Sequence, residues 1–109
     1  MTTTESDSAG NASFYADRAR TDTWVVTVIG EVDLANRERF EAVVEQALLA
    51  GPTTLVFDLA GVRFMDSSGL GVLVSATQST SAVEVRTPSR SVRRLIEISG
   101  LTELLRIVE

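Results

Sequence analysis

Four short runs of β-branched and apolar residues are separated by stretches whose apolar residues recur at helical spacing, and this alternation constrains the fold more than any other feature of the chain. The runs are Trp24–Ile29 (WVVTVI, ended by Gly30), Leu55–Leu59 (LVFDL), Val83–Arg86 and Leu105–Val108, each with the composition of a strand. Between the first two, Phe40, Val43, Val44, Ala47 and Leu48 fall on one helical face. Glu38, Glu41 and Glu45 lie off that face, and Gly51-Pro52 stops the helix. Leu70, Leu73, Val74 and Thr77 carry a second helix. Pro88-Ser89 opens a third, with Val92, Leu95, Ile96 and Ser99 along its stripe and Gly100 closing it. Ahead of all these, Phe14, Ala16 and Arg18 alternate with Tyr15, Asp17 and Ala19, a weaker strand joined to the next through Arg20-Thr21-Asp22-Thr23.

The resulting order is β-β-α-β-α-β-α-β. Strands separated by helices need crossover connections, so the fold class is α/β, a mixed β-sheet with helices packed against it. The nearly continuous apolar run Leu55–Leu59 is expected to be covered on both faces. With 109 residues there is room for one domain, placed at residues 13–109. Residues 1–12, rich in Thr, Ser, Asp and Gly, are expected to form a disordered lead-in.

Composition removes whole classes of chemistry. The chain has no cysteine and no histidine, and all ten of its basic residues are arginine. Disulfides, thiolate metal sites, cysteine nucleophiles, imidazole proton shuttles and Schiff-base lysines are therefore absent. No metal, cofactor or catalytic residue is expected, and the chain reads as a binding module rather than an enzyme. A net charge of -5 argues against nucleic acid or an anionic membrane as partner and favours a basic protein. No apolar run approaches the ~20 residues of a membrane span. The polar N-terminus MTTTESDSAGN has no secretion-signal core, so a cytoplasmic location without membrane insertion is expected.

The segment from Phe57 to Val72 carries the most information. A buried strand leads through a loop into Asp66-Ser67-Ser68-Gly69 and then an amphipathic helix. Spacing alone favours Asp66 and Ser67 as helix caps. A serine at such a junction is also displayed near the surface, and Gly69 and Gly71 leave the first turn thin enough for another backbone to approach. Gly69-Leu70-Gly71 begins like a dinucleotide loop, but Val74 stands where the third glycine should be. A nucleophile elbow would need Gly two residues before the serine, and no histidine exists to act as base.

The run Val62-Arg63-Phe64-Met65-Asp66-Ser67-Ser68-Gly69-Leu70-Gly71-Val72 resembles the signature of the anti-sigma factor antagonists, within the family of sulfate-transporter and anti-sigma-antagonist (STAS) domains. Gly30-Glu31-Val32-Asp33 is similar to that family's Gly-Glu-Leu-Asp after its second strand, and Pro88 to Leu101 is similar to its third helix and exit. The resemblance implies that Ser67 is phosphorylated by an anti-sigma factor that is itself a serine kinase. It implies that the unphosphorylated form binds this anti-sigma factor and frees a sigma factor, and that a phosphatase resets the switch. Asp33, Asp66, Ser68, Gly69, Leu70 and Val72 would form the docking surface. Many members carry a further helix after the last strand, whereas the sequence reaches Glu109 without one, so that part of the sheet is expected to be more open or covered by pairing.

Phosphorylation would add roughly -1.5 to -2 charges beside Asp66, with Asp33 expected nearby across the strand ends, so docking would be opposed by repulsion and desolvation. The helix N-terminus is expected to offset part of the new charge and let the phosphoprotein stay folded. Other roles are weighed beside these. Asp33 is equally placed to cap the first helix or to touch a partner. Asp58, within a strand, is structural; Arg93 and Arg94 lie on a solvated face; Trp24 and Phe57 belong to the core. Leu70, Val72 and Leu73 divide between core and interface, with Val72 the better candidate for exposure because it falls off the stripe. Two rival functions follow from other features: a non-switching STAS subunit of a lipid-transport or signalling assembly, and a nucleotide-binding protein, which the missing lysine and incomplete glycine loop disfavour.

Overall fold

Val26 and Val28 on one strand, Leu55 and Phe57 on the next, and Val83 and Val85 beyond them are all buried, and the strand registers place them side by side on a single face of one sheet. A computed structural model shows how the chain builds that sheet, and it describes residues 4–6 and 12–109. The elements are β1 (Thr4–Ser6), β2 (Ala12–Arg20), β3 (Thr23–Val32), α1 (Arg37–Leu49), β4 (Thr54–Met65), α2 (Ser67–Ala76), β5 (Ala82–Arg86), α3 (Arg90–Ile98) and β6 (Arg106–Val108). The strands lie in sequence order across a six-stranded sheet. β1, β2 and β3 pair antiparallel, and β3 through β6 pair parallel.

That order decides where the helices go. Each parallel crossover moves one strand further in the same direction, and the right-handed rule then puts every crossover helix on the same face. Buried residues of all three helices, Phe40, Val43, Leu73, Val92 and Ile96 among them, join one cluster with the inward residues of the strands. Phe40 links the layers, its ring stacked on Phe14 of β2 at 5.1 Å and edge-on to Phe57 of β4 at 5.9 Å. The opposite face carries Tyr15, Thr27, Asp58 and Arg86, with Asp58 and Arg86 paired at 3.8 Å. As expected, the apolar residues of Leu55–Leu59 are buried on both faces, but helices cover one face only, and Val56 on the other is buried among its sheet neighbours.

Two further differences from the sequence reading have physical causes. β4 does not end at Leu59 but runs on to Met65. Its register against β3 slips twice, between Thr27 and Ile29 and between Gly30 and Glu31, each time by one extra residue on β4. These bulges break the alternation of strand side chains, so Ala60–Phe64 looks like a loop in the sequence. Asp58 holds the first of them, its Oδ1 accepting the Ala60 N–H at 3.1 Å. At the other end, Thr4–Ser6 of the supposed lead-in pairs antiparallel with β2, and Ala12 is already buried in the core. The rest of that lead-in, residues 1–3 and 7–11, lies outside the described residues.

Helix limits follow the expected chemistry more closely. Gly51, with φ 71°, takes the left-handed conformation that follows α1. Ser89 caps α3 by accepting the Val92 N–H at 3.3 Å. Arg93, expected on a solvated face, is half-buried and pairs with Glu109.

Candidate docking and phosphoacceptor site

Parallel strands deliver their following loops to one edge of the sheet, so the loops after β3 and β4 are neighbours. Val32 pairs with Met65 in register, and one residue on, the Asp66 N–H donates to the Val32 carbonyl at 3.1 Å. The residue before Asp33 is thus tied to the residue before Ser67. The head of α3, which follows the loop after β5, adjoins them, the Ser91 hydroxyl donating to the Arg63 carbonyl at 3.3 Å.

The β3 loop is fixed from inside by a residue that the sequence reading passed over. Asn36 is buried, its Nδ2 donating to the Glu31 carbonyl at 2.9 Å and its Oδ1 accepting the Asp33 N–H at 3.1 Å. Asp33 turns its own Oδ1 to the Ala35 N–H at 3.0 Å, closing a tight local turn. Asp33 therefore caps no helix. The helix starts after Asn36, whose side chain is engaged in the loop rather than with helix amides. Leu34 at the tip stands 70% exposed. Upstream, Gly30 has φ 108°, a conformation in which a side chain would be strained.

At the head of α2 the two residues read together as caps have separate roles. Asp66 is extended and its Oδ1 accepts the N–H groups of Ser68 at 2.8 Å and Gly69 at 3.3 Å. Its carbonyl accepts the Leu70 N–H at 3.1 Å. Capping is complete without Ser67, which is exposed and whose hydroxyl makes no hydrogen bond among the described residues. Packing and capping both leave this hydroxyl alone.

The first turn of α2 faces two ways. A Cβ on Gly69 would lie 2.7 Å from Met65 Cγ and 2.8 Å from Val32 Cγ1, so this glycine lets the helix seat on the strand ends. A Cβ on Gly71 would meet nothing within 4 Å among the described residues. Gly69, Leu70 and Val72, expected on the docking surface, all turn inward. Val72 in particular is only 3% exposed, which corrects the expectation that it stands out from the helix. The cause is geometric: α2 is covered by the sheet beneath and by α1 beside it, so more than one stripe is buried. What remains accessible at this edge is Asp33 and Leu34, Asp66, Ser67, half-buried Ser68 and Gly71, with Phe64 flanking at 49% exposure. Phe64 stands opposite Glu31, which pairs with Arg63 at 3.6 Å.

The electrostatics follow from these bonds. The amides of Ser68 and Gly69 are engaged by the Asp66 carboxylate, so a phosphate on Ser67 meets an anion beside the helix N-terminus. The compensation expected from the helix N-terminus is correspondingly reduced. Among the described residues no group of three or more Asp or Glu is placed to hold a metal ion, and no helix is long and apolar enough to cross a membrane.

Comparison with known proteins places the fold. The family model described as STAS domain matches residues 15–109. The anti-sigma F factor antagonist of Lysinibacillus sphaericus is 33% identical over 93 residues, covering 81% of this chain and 80% of that protein. The crystal structure of an anti-sigma factor antagonist from Mycobacterium paratuberculosis superposes with a TM-score of 0.80 at 24% identity, covering 88% of this chain and 84% of that one. The anti-sigma factor antagonist SpoIIAA in its unphosphorylated form superposes with a TM-score of 0.75 at 25% identity and 88% coverage of both chains. SpoIIAA of Bacillus in its phosphorylated form gives 0.69, covering 88% of this chain and 91% of that one. The chain belongs to the STAS domain family and is similar to its anti-sigma factor antagonists.

Proposed function

We propose that this chain is an anti-sigma factor antagonist that binds an anti-sigma factor kinase while Ser67 is unmodified and is released when Ser67 is phosphorylated. The observation that carries the reading is exposed Ser67, whose hydroxyl makes no hydrogen bond among the described residues because Asp66 alone caps α2. In the reaction the Ser67 Oγ bonds to the γ-phosphorus of ATP as the bond to ADP breaks, and the hydroxyl proton passes to a base of the kinase. A phosphatase returns the serine by hydrolysis.

The acidic surroundings supply the switch. A phosphate of roughly -1.5 to -2 charges lands beside Asp66 and at the edge that Asp33 occupies. A partner surface that accommodates these carboxylates when docked is then opposed by a larger anion and by the cost of removing it from water. The buried apolar cluster lies beneath and is untouched, so contact is lost while the fold persists.

The test begins with a tagged Ser67→Ala chain as bait in extract of the native cell, which recovers the anti-sigma factor. That protein, given ATP, is expected to phosphorylate the wild type at Ser67 and to leave Ser67→Ala unlabelled. Equal labelling of the two, or no labelling of either, sinks the proposal.

A further inference from the structure

A half-open groove of about 150 Å³ runs between α1 and α2, lined on α2 by residues from Val72 to Ser79. Its floor is apolar, made by Val44, Val72 and Ala76; Glu41 and Glu45 stand along the α1 rim, and Ser75 along the α2 rim. A space of this size holds one branched or aromatic side chain. The groove shares Glu41 with a second hollow, lined also by Leu34, Ala35, Arg37 and Glu38. Ser67, Gly71 and Ser75, spaced four apart, join the same groove to the head of α2 along one exposed helix face.

Charge and shape select the occupant. Glu41 is paired with Arg37 at 3.1 Å, while Glu38 and Glu45 are exposed and make no ion pair among the described residues. The remaining arginine of this helix, Arg39, lies over the Phe14 ring. The groove thus offers an apolar socket with the unpaired Glu45 on its rim and the unpaired Glu38 beyond it. Gly71 adds an independent indication. It costs α2 about 1 kcal/mol relative to alanine, its backbone is not left-handed, and nothing among the described residues occupies the space a side chain would fill. A glycine that the fold does not require leaves room for another backbone to come close.

We propose that this groove continues the docking surface and receives a basic amphipathic helix of the anti-sigma factor, with one apolar side chain in the socket and arginine or lysine along Glu45 and Glu38. The proposal rests on the function proposed above, and the experiment separates the two. The anti-sigma factor recovered with the Ser67→Ala bait is titrated against wild type, Glu45→Arg, Ser75→Arg and Ser67→Asp, at low and high salt, with thermal midpoints for each. Glu45→Arg and Ser75→Arg are expected to keep the midpoint, because both positions are exposed, and to weaken binding roughly tenfold, with less salt dependence left in Glu45→Arg. Wild-type affinity in both groove variants, with binding lost in Ser67→Asp, overturns the groove and leaves the switch standing. Undiminished binding in all three overturns both. Self-association of the wild type that Glu45→Arg abolishes identifies a second copy as the occupant and likewise overturns the proposal.

Discussion

Asp66 donates its backbone N–H to the carbonyl of Val32 at 3.1 Å, and this bond joins the two acidic loops at the carboxyl edge of the sheet. One partner precedes Asp33 and the other precedes Ser67, so a charge placed on the serine is delivered to a surface already carrying two carboxylates. The bond is made by backbone atoms, and the cap on α2 is made by Asp66. Neither draws on the Ser67 side chain. The hydroxyl is therefore chemically available while the structure around it is held by others, and this separation is what a reversible modification needs.

Asp66 serves both the helix and the charge of the surface, and substitutions distinguish the two. Asp66→Ala removes the acceptor for two amides and is expected to lower stability by about 1 kcal/mol in urea unfolding. Asp66→Ser keeps a capping oxygen and is expected to recover most of that loss while lacking the carboxylate. If Asp66→Ala is as stable as wild type, the capping assignment is wrong.

Gly69 and Gly71 are two residues apart and should respond oppositely to alanine. Gly69→Ala forces a methyl group against Met65 and Val32 and is expected to destabilise by about 1–3 kcal/mol. Gly71→Ala meets open space and is expected to stabilise α2 by up to about 1 kcal/mol. Chemical denaturation of both variants reads the difference, and equal effects would contradict the seating of α2 described here.

Asn36 pins the loop that carries Asp33. Replacing it by alanine leaves the Glu31 carbonyl and the Asp33 N–H without their partner, at an expected cost of about 1–3 kcal/mol. Amide hydrogen exchange at Asp33 should accelerate in Asn36→Ala. An unchanged exchange rate would show that the loop is held by something else.

How much of this was legible in the sequence depended on whether side-chain periodicity survived in the structure. Trp24–Ile29 and the helix around Phe40 to Leu48 keep an unbroken period, so both could be read directly. β4 beyond Leu59 could not, because two bulges disrupt the alternation that marks a strand. Thr4–Ser6 escaped because it is short and polar, and it pairs with β2 through its backbone. Val72 was placed on the wrong side because a helix covered by both a sheet and a neighbouring helix buries more than one stripe. At the candidate site, the motif residues Asp33, Asp66 and Ser67 were all singled out, and the topology brings their two loops together. Their division of labour was not visible. Nothing in the letters distinguishes a capping aspartate from a free serine beside it, or an inward Gly69 from an outward Gly71. Asn36 left a single faint sign, a polar residue three positions past an aspartate between strand and helix.

The most direct measurement is calorimetric titration of the recovered anti-sigma factor with the chain before and after stoichiometric phosphorylation of Ser67, accompanied by the thermal midpoint of each form. The expected result is a complex with the unmodified chain, affinity lowered by about a hundredfold or more on phosphorylation, and a midpoint that stays close to the original. Equal affinity of the two forms, or a phosphorylated chain that no longer folds, would contradict the account.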